Sequence, residues 1–182
     1  MPETIENYKP QKIIEGLKTQ AFNVWGIILS LVAIWVFVIV LTPIAEANGF
    51  TTFSQPLYNF YSYICHQMPS RSFHIFEHKF AVCSRCFGVY FGLLFGLIIY
   101  PLFRSMEEIE PFPRIWLFLA MIPMGVDWAL TFFGIWENTF FTRFVSGLIL
   151  GTTCAIFIVP ALVEFSEMIL LKRLKRQEKK LS

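Results

Sequence analysis

Residues 81–103 read AVCSRCFGVYFGLLFGLIIYPLF, and from Phe87 onward nothing in the run carries a charge. A helix needs about 20 apolar residues to cross a hydrocarbon core, and this run supplies them. It opens on Cys83, Arg85 and Cys86 before settling into glycines four apart, Gly88, Gly92 and Gly96. The segment therefore reads as a transmembrane helix with reactive groups at its entrance. Apolar stretches of similar length occupy about residues 23–44, 115–134 and 140–165. Four transmembrane helices follow, and the fold class expected is an all-α membrane protein with one integral membrane domain over residues 1–182.

Composition points the same way. Of 182 residues, 55% are hydrophobic, 18% aromatic and 15% charged, a balance that excludes an ordinary soluble enzyme. Residues 45–47, Ala-Glu-Ala, resemble a cleavage site. The apolar core before them is too long and its polar leader too extended for a signal peptide, so the run is kept as the first membrane helix. Lys9, Lys12 and Lys18 precede that helix, and Lys172, Arg173, Lys175, Arg176, Lys179 and Lys180 crowd the tail, residues 166–182. The positive-inside bias then makes both termini cytoplasmic in an inner or plasma membrane. It places the loop 45–80 and the turn 135–139 outside, and the connection 104–114 inside. The basic tail directly follows a membrane helix, so anionic lipid is its expected partner and nucleic acid is not.

Within the loop, Ser54 reads as a helix cap with Pro56 in the first turn. Leu57, Phe60, Tyr61 and Ile64 continue an apolar stripe, which predicts a short interfacial helix ending before Pro69, with Cys65 and His66 in its last turn. Tyr58, Phe60, Tyr61 and Tyr63 read as an interfacial belt. The stripe Gly88, Gly92, Gly96 and a second one, Gly147, Gly151, Ala155, predict that the second and fourth membrane helices pack together.

Three of the four cysteines and all three histidines fall between Tyr63 and Gly92. Cys83 and Cys86 lie on one helix face, and Cys65 is followed directly by His66. Two short-spaced donor pairs of thiolate and imidazole suit tetrahedral zinc, with His74 and His78 as reserve ligands. A redox pair is the competing reading, since a CxxC at a helix N-terminus has a lowered thiolate pKa and Cys65 could resolve it. A structural disulfide would leave an odd cysteine. Cys154 reads as a packing residue.

Asp127 lies inside the third membrane helix, where a carboxylate calls for a function or a partner; Pro123 can kink the helix nearby. At 1.5 Å per residue, Asp127, Cys86 and Arg143 lie roughly 10, 7 and 5 Å below the outer boundary, so one pocket can hold them. An ion pair between Asp127 and Arg143 is one reading. In the other, Asp127 is a general base or metal partner and Arg143 an anion or oxyanion binder. Arg71 and Ser72 suit a phosphate, while Arg85 either lowers thiolate pKa or snorkels to the interface. Glu137 and Asn138 could join the rim of the pocket, but an exposed turn prefers polar residues anyway, so they read first as solvated turn residues.

The blocks CHQMPSRSF from Cys65, VCSRCFGVYFG from Val82 and TRFVSGLILG from Thr142, with Asp127 between them, resemble a family of small predicted integral membrane proteins of unknown function. The resemblance spans about residues 60–155. It implies that Cys65, His66, Gln67, Arg71, Ser72, Cys83, Arg85, Cys86, Gly88, Tyr90, Asp127, Thr142 and Arg143 are signature positions. Phe87 stands where the family commonly has Thr, and Glu77 where it has a turn Gly. The resemblance implies no activity.

The function expected is a zinc-binding membrane protein with a polar outer-leaflet pocket, a metal-dependent hydrolase or transferase for a lipid or amphiphilic substrate. Cys65, His66, Cys83 and Cys86 would hold the metal, and Asp127 and Arg143 would carry the chemistry. Gln67, Arg71, Ser72, Arg85, Tyr90 and Thr142 would face substrate or anion. A thiol-disulfide oxidoreductase and a non-catalytic assembly subunit with a zinc knuckle are the alternatives, and a homo-oligomer is compatible with each.

Overall fold

Small residues at the helix interface decide the architecture of this computed structural model, which describes residues 11–104 and 112–181. The side chains of Lys12, Arg173, Lys175, Arg176, Lys179 and Lys180, and all of Lys9, lie outside the described residues. Helix α1 runs Gln11–Ala47 and α2 Thr51–Ser62. A 3-10 turn at Pro69–Arg71 follows, then the hairpin β1 (His74–Ile75) and β2 (His78–Lys79), and helices α3 (Ser84–Phe103), α4 (Ile115–Phe132) and α5 (Phe140–Leu181). Four segments are long and apolar enough to cross a membrane: Lys18–Ala47, Ser84–Phe103, Ile115–Phe132 and Phe140–Ile169. On α1, Ile27, Leu31, Ile34 and Phe37 are all exposed, an outward apolar stripe that suits contact with lipid.

Helices α3 and α5 form the closest pair, as their glycine stripes require. A Cβ on Gly88 or Gly92 would strike the carbonyl oxygen of Phe144 or Leu148, and one on Gly147 or Gly151 that of Arg85 or Val89. The Thr152 hydroxyl donates to the Gly92 carbonyl at 3.1 Å across the seam. Helix α1 closes this pair from the side: Trp25 Nε1 donates to the Leu97 carbonyl at 2.9 Å, and Gln20 Nε2 to that of Ser166 at 2.8 Å. A methyl on Gly151 would also lie 2.8 Å from the Leu93 nitrogen, so the backbones would have to part. Gly151→Val is therefore expected to cost about 3 kcal/mol or more, the upper range for overpacking. A lowered melting midpoint in detergent is the measurement; an unchanged midpoint would contradict the seam.

The loop differs from its sequence reading in detail. Helix α2 begins at Thr51 with Phe50 at its N-cap, not Ser54. Ser54 is buried and its hydroxyl is taken by the Glu46 carboxylate and the Phe50 carbonyl, so it ties α2 back to α1 instead of capping. The helix stops at Ser62, and Cys65 and His66 lie beyond it. Its last carbonyls are used up by tightened bonds, Tyr63 to Phe60 at 3.3 Å and Ile64 to Tyr61 at 3.1 Å. The chain then turns at Gln67, whose φ is +48°. The hairpin pairs His74 with Lys79 and Ile75 with His78. Its two turn residues, Phe76 and Glu77, have φ of +50° and +65°, so Glu77 holds a conformation that favours glycine. Phe73 anchors the hairpin to the bundle through ring contacts with Phe80, Phe87 and Phe144 at 5.8, 6.1 and 5.9 Å.

Candidate functional site

The bend at Gln67 lets two adjacent residues, Cys65 and His66, present donors to one point. A left-handed non-glycine residue costs about 1–2 kcal/mol, and the loop supplies the bonds that hold it. Gln67 Nε2 donates to the Tyr58 carbonyl at 2.7 Å, and Lys79 Nζ donates to the Gln67 carbonyl at 2.9 Å. Ser72 donates to the Met68 carbonyl at 2.9 Å, and the Ser84 hydroxyl to the Arg71 carbonyl at 3.1 Å, which fastens the loop onto the start of α3. Cys83 stands at the N-cap of that helix and Cys86 one turn in.

These restraints bring the donor atoms of Cys65, His66 and Cys83 within 4.8 Å of one another, close enough for one metal ion. Cys86 is not among those three donors, but it lines the same cavity as they do. All four cysteines are free thiols, and Cys154 lies apart on α5. Hydrogen bonds from the Cys83 and Cys86 thiols, and the Cys83 backbone N–H at 3.1 Å, stabilise a thiolate on Cys65 and hold its pKa well below the ordinary thiol value. The hydrogen bond to Cys65 pushes the Cys83 pKa the other way. Thiol protons in the cluster would leave as a cation binds. His66 is exposed, and its Nδ1 accepts the Met68 N–H at 3.1 Å. With Nδ1 engaged, a neutral ring carries its proton on Nε2, so His66 must give up either a hydrogen bond or a proton to join a metal. Of the three clustered donors it alone is exposed.

Above the thiols lies a cavity of about 460 Å³, lined by Cys65, His66, Cys83 and Cys86, by Arg71, Arg85 and Arg143, and by Asn138, Trp128 and Phe132. The ion pair within the membrane joins Asp127 to Arg85, and Arg143 is reached indirectly. Asn138 Nδ2 donates to Asp127 Oδ2 at 3.0 Å, and Asn138 Oδ1 accepts from Arg143 Nε at 2.6 Å. Asn138, read from sequence as a solvated turn residue, is the bridge of this chain. It is placed by the tight turn after α4, where Gly134 has φ of +68° and Ile135 N–H returns to the Leu130 carbonyl at 3.0 Å.

Other expected site residues are set elsewhere. Thr142 reciprocates with Thr139 at the start of α5, each backbone N–H bonding the other's hydroxyl at 3.1 and 3.2 Å. It lines a separate groove between α4 and α5, which Asp127 also borders. Tyr90 packs edge-on against Trp35 at 5.8 Å. Ser72 is fully buried in its bond to Met68. Gln67 borders a different cavity of about 480 Å³, together with His74 and His78, so the two reserve histidines do not share the thiol pocket.

A comparison with protein families matches the predicted membrane protein family DUF2085 to residues 65–157, the segment that carries the thiols, the arginines and Asp127. The chain belongs to this family. Within DUF2085 context, it is similar to an uncharacterised protein of Methanocaldococcus jannaschii, 44% identical over 122 residues that make up 66% of this chain and 78% of the relative. It is also similar to an uncharacterised protein of Methanothermobacter thermautotrophicus, 33% identical over 96 residues, 53% of this chain and 85% of the relative. No solved structure matches. Family membership supports the integral membrane location, and the thiol cluster gives this DUF2085 chain a site that can hold a metal.

Proposed function

We propose that this DUF2085 protein is a zinc-binding membrane protein that performs hydrolysis or group transfer on an amphiphile at the extracytoplasmic end of the bundle. The carrying observation is the thiol and imidazole cluster: donor atoms from Cys65, His66 and Cys83 within 4.8 Å, with Cys86 lining the same cavity. Two thiols and an imidazole in so small a space, with a third thiol, Cys86, lining the same cavity, suit tetrahedral zinc over hard cations that prefer oxygen. The basic residues at both ends of the chain support the facing. When bound, zinc supplies Lewis acidity.

The chain's own residues supply the rest. Arg71 and Arg143 are placed to stabilise negative charge that develops on a substrate in the cavity. Asp127 Oδ2 accepts from both Arg85 and Asn138, which favours an orienting role over proton abstraction. His66, the donor with another bond to lose, is the place where a metal site would open.

Metal analysis of the protein purified in detergent, with thiol counting before and after denaturation, tests the proposal. About one zinc per chain is expected, as a single tetrahedral site requires, with the clustered thiols shielded from alkylation until the protein is unfolded. A metal-free protein with a Cys83–Cys86 disulfide would transfer the assignment to thiol-disulfide exchange.

A further inference from the structure

We infer that the cavity over the thiols binds the phosphoryl headgroup of a membrane lipid, a phosphate monoester or pyrophosphate with close to two negative charges or more. This names a substrate class for the site proposed above, and it rests on that reading in taking this cavity as the working site. Arg71 from the 3-10 turn, Arg85 from α3 and Arg143 from α5 converge on it. Arg71 and Arg85 stand near enough to Arg143 for their charges to repel. Arg85 and Arg143 are part-buried on membrane-spanning helices and Arg71 is exposed on the loop side, so three cations from three separate elements face one cavity, an arrangement that favours an anion.

The protein supplies only part of that anion. Asp127 answers Arg85, and Arg143 is bonded to the neutral amide of Asn138. No carboxylate pairs with Arg71 among the described residues. Two guanidinium charges are left over before any metal site is counted. A zinc ion with three thiolates and a neutral imidazole would add one negative charge, which reduces the surplus without changing its sign. Guanidinium groups are the side chains best shaped to grip phosphate oxygens in pairs.

The outer wall identifies a lipid as the source of that phosphate. Trp128 and Phe132 line the cavity and are 56% and 69% exposed on α4, a membrane-spanning helix. Ile64 completes the apolar side, 46% exposed. A headgroup can enter past these residues while its hydrocarbon stays in the bilayer, whereas a free anion gains nothing from such a wall.

The test uses the full chain in phosphatidylcholine nanodiscs doped with phosphatidic acid or with phosphatidylglycerol, and reads both co-purified lipid and zinc content. Retention of phosphatidic acid should exceed that of phosphatidylglycerol, and Arg71→Gln should reduce it about tenfold, the scale of one charge-assisted bond pair. Arg71 is exposed and, among the described residues, its guanidinium makes no ion pair, so this variant should fold. Arg143→Lys, which keeps the charge and loses the planar fork, should show an intermediate loss. Equal retention of both lipids, or wild-type retention by Arg71→Gln, would overturn the inference. Inorganic phosphate displacing phosphatidic acid at equal concentration would overturn the assignment to lipid. Zinc-loaded protein without the lipid preference sinks this inference alone, while zinc-free protein that keeps the preference sinks the metal reading alone.

Discussion

Replacing Cys83 with serine is expected to strip the purified protein of its metal and to loosen the loop end of the bundle. Structural zinc sites bind with about 10–16 kcal/mol at neutral pH, so one of four ligands is worth about 3 kcal/mol, or roughly a hundredfold in affinity. Serine keeps the backbone N–H that donates to Cys65 Sγ at 3.1 Å, and it fills nearly the same buried space. The loss would therefore report the ligand and not the fold around it. Cys154→Ser, on α5 away from the cluster, should keep wild-type metal content. His66→Ala should fall between the two, because the imidazole already spends Nδ1 on the Met68 N–H. Elemental analysis with thermal melting in the same detergent reads all three, and a zinc-replete Cys83→Ser protein would remove Cys83 from the site.

The helices and their main pairing were legible in the sequence because both signals are local. An apolar run of sufficient length has few alternatives, and a glycine every fourth residue can face only one way on a helix. The CxxC was legible for the same reason, since Cys83 and Cys86 share a face whatever lies opposite. The partner of Asp127 was not. Helix α4 is apolar around its whole circumference, so no stripe fixes its rotation, and depth alone favours Arg143 as much as Arg85. The choice is made by α3, whose Arg85 is 42 residues away in sequence, and by the turn that swings Asn138 over the carboxylate. His74 and His78 failed as reserve ligands because their spacing carries no hint that a two-residue turn at Phe76 and Glu77 puts them on a hairpin. Ser54 was misread as a cap because its true partner, Glu46, belongs to the preceding helix.

Asp127→Asn is expected to destabilise the protein by about 3 kcal/mol, the lower end of what removing one partner of a buried ion pair costs. The lower end applies because the pair keeps some access to solvent, with Arg85 20% and Asp127 11% exposed. Most of the penalty belongs to the guanidinium left behind, so the double variant Arg85→Gln/Asp127→Asn should recover most of the lost stability. A thermodynamic cycle read from melting in detergent separates this from two independent losses, which would simply add. Asparagine also keeps an oxygen for the Asn138 amide, so the link from Asn138 to Arg143 should persist. Asp127→Leu cannot keep it, and should release Arg143 as well as Arg85. The two variants therefore divide the roles of one carboxylate. If Asp127 only orients, Asp127→Asn should keep phosphatidic acid retention and zinc content while losing stability, and Asp127→Leu should lose lipid retention too. If the carboxylate itself reacts, a folded and zinc-loaded Asp127→Asn protein would lose its cellular activity with both binding readouts intact, and positioning could not explain it.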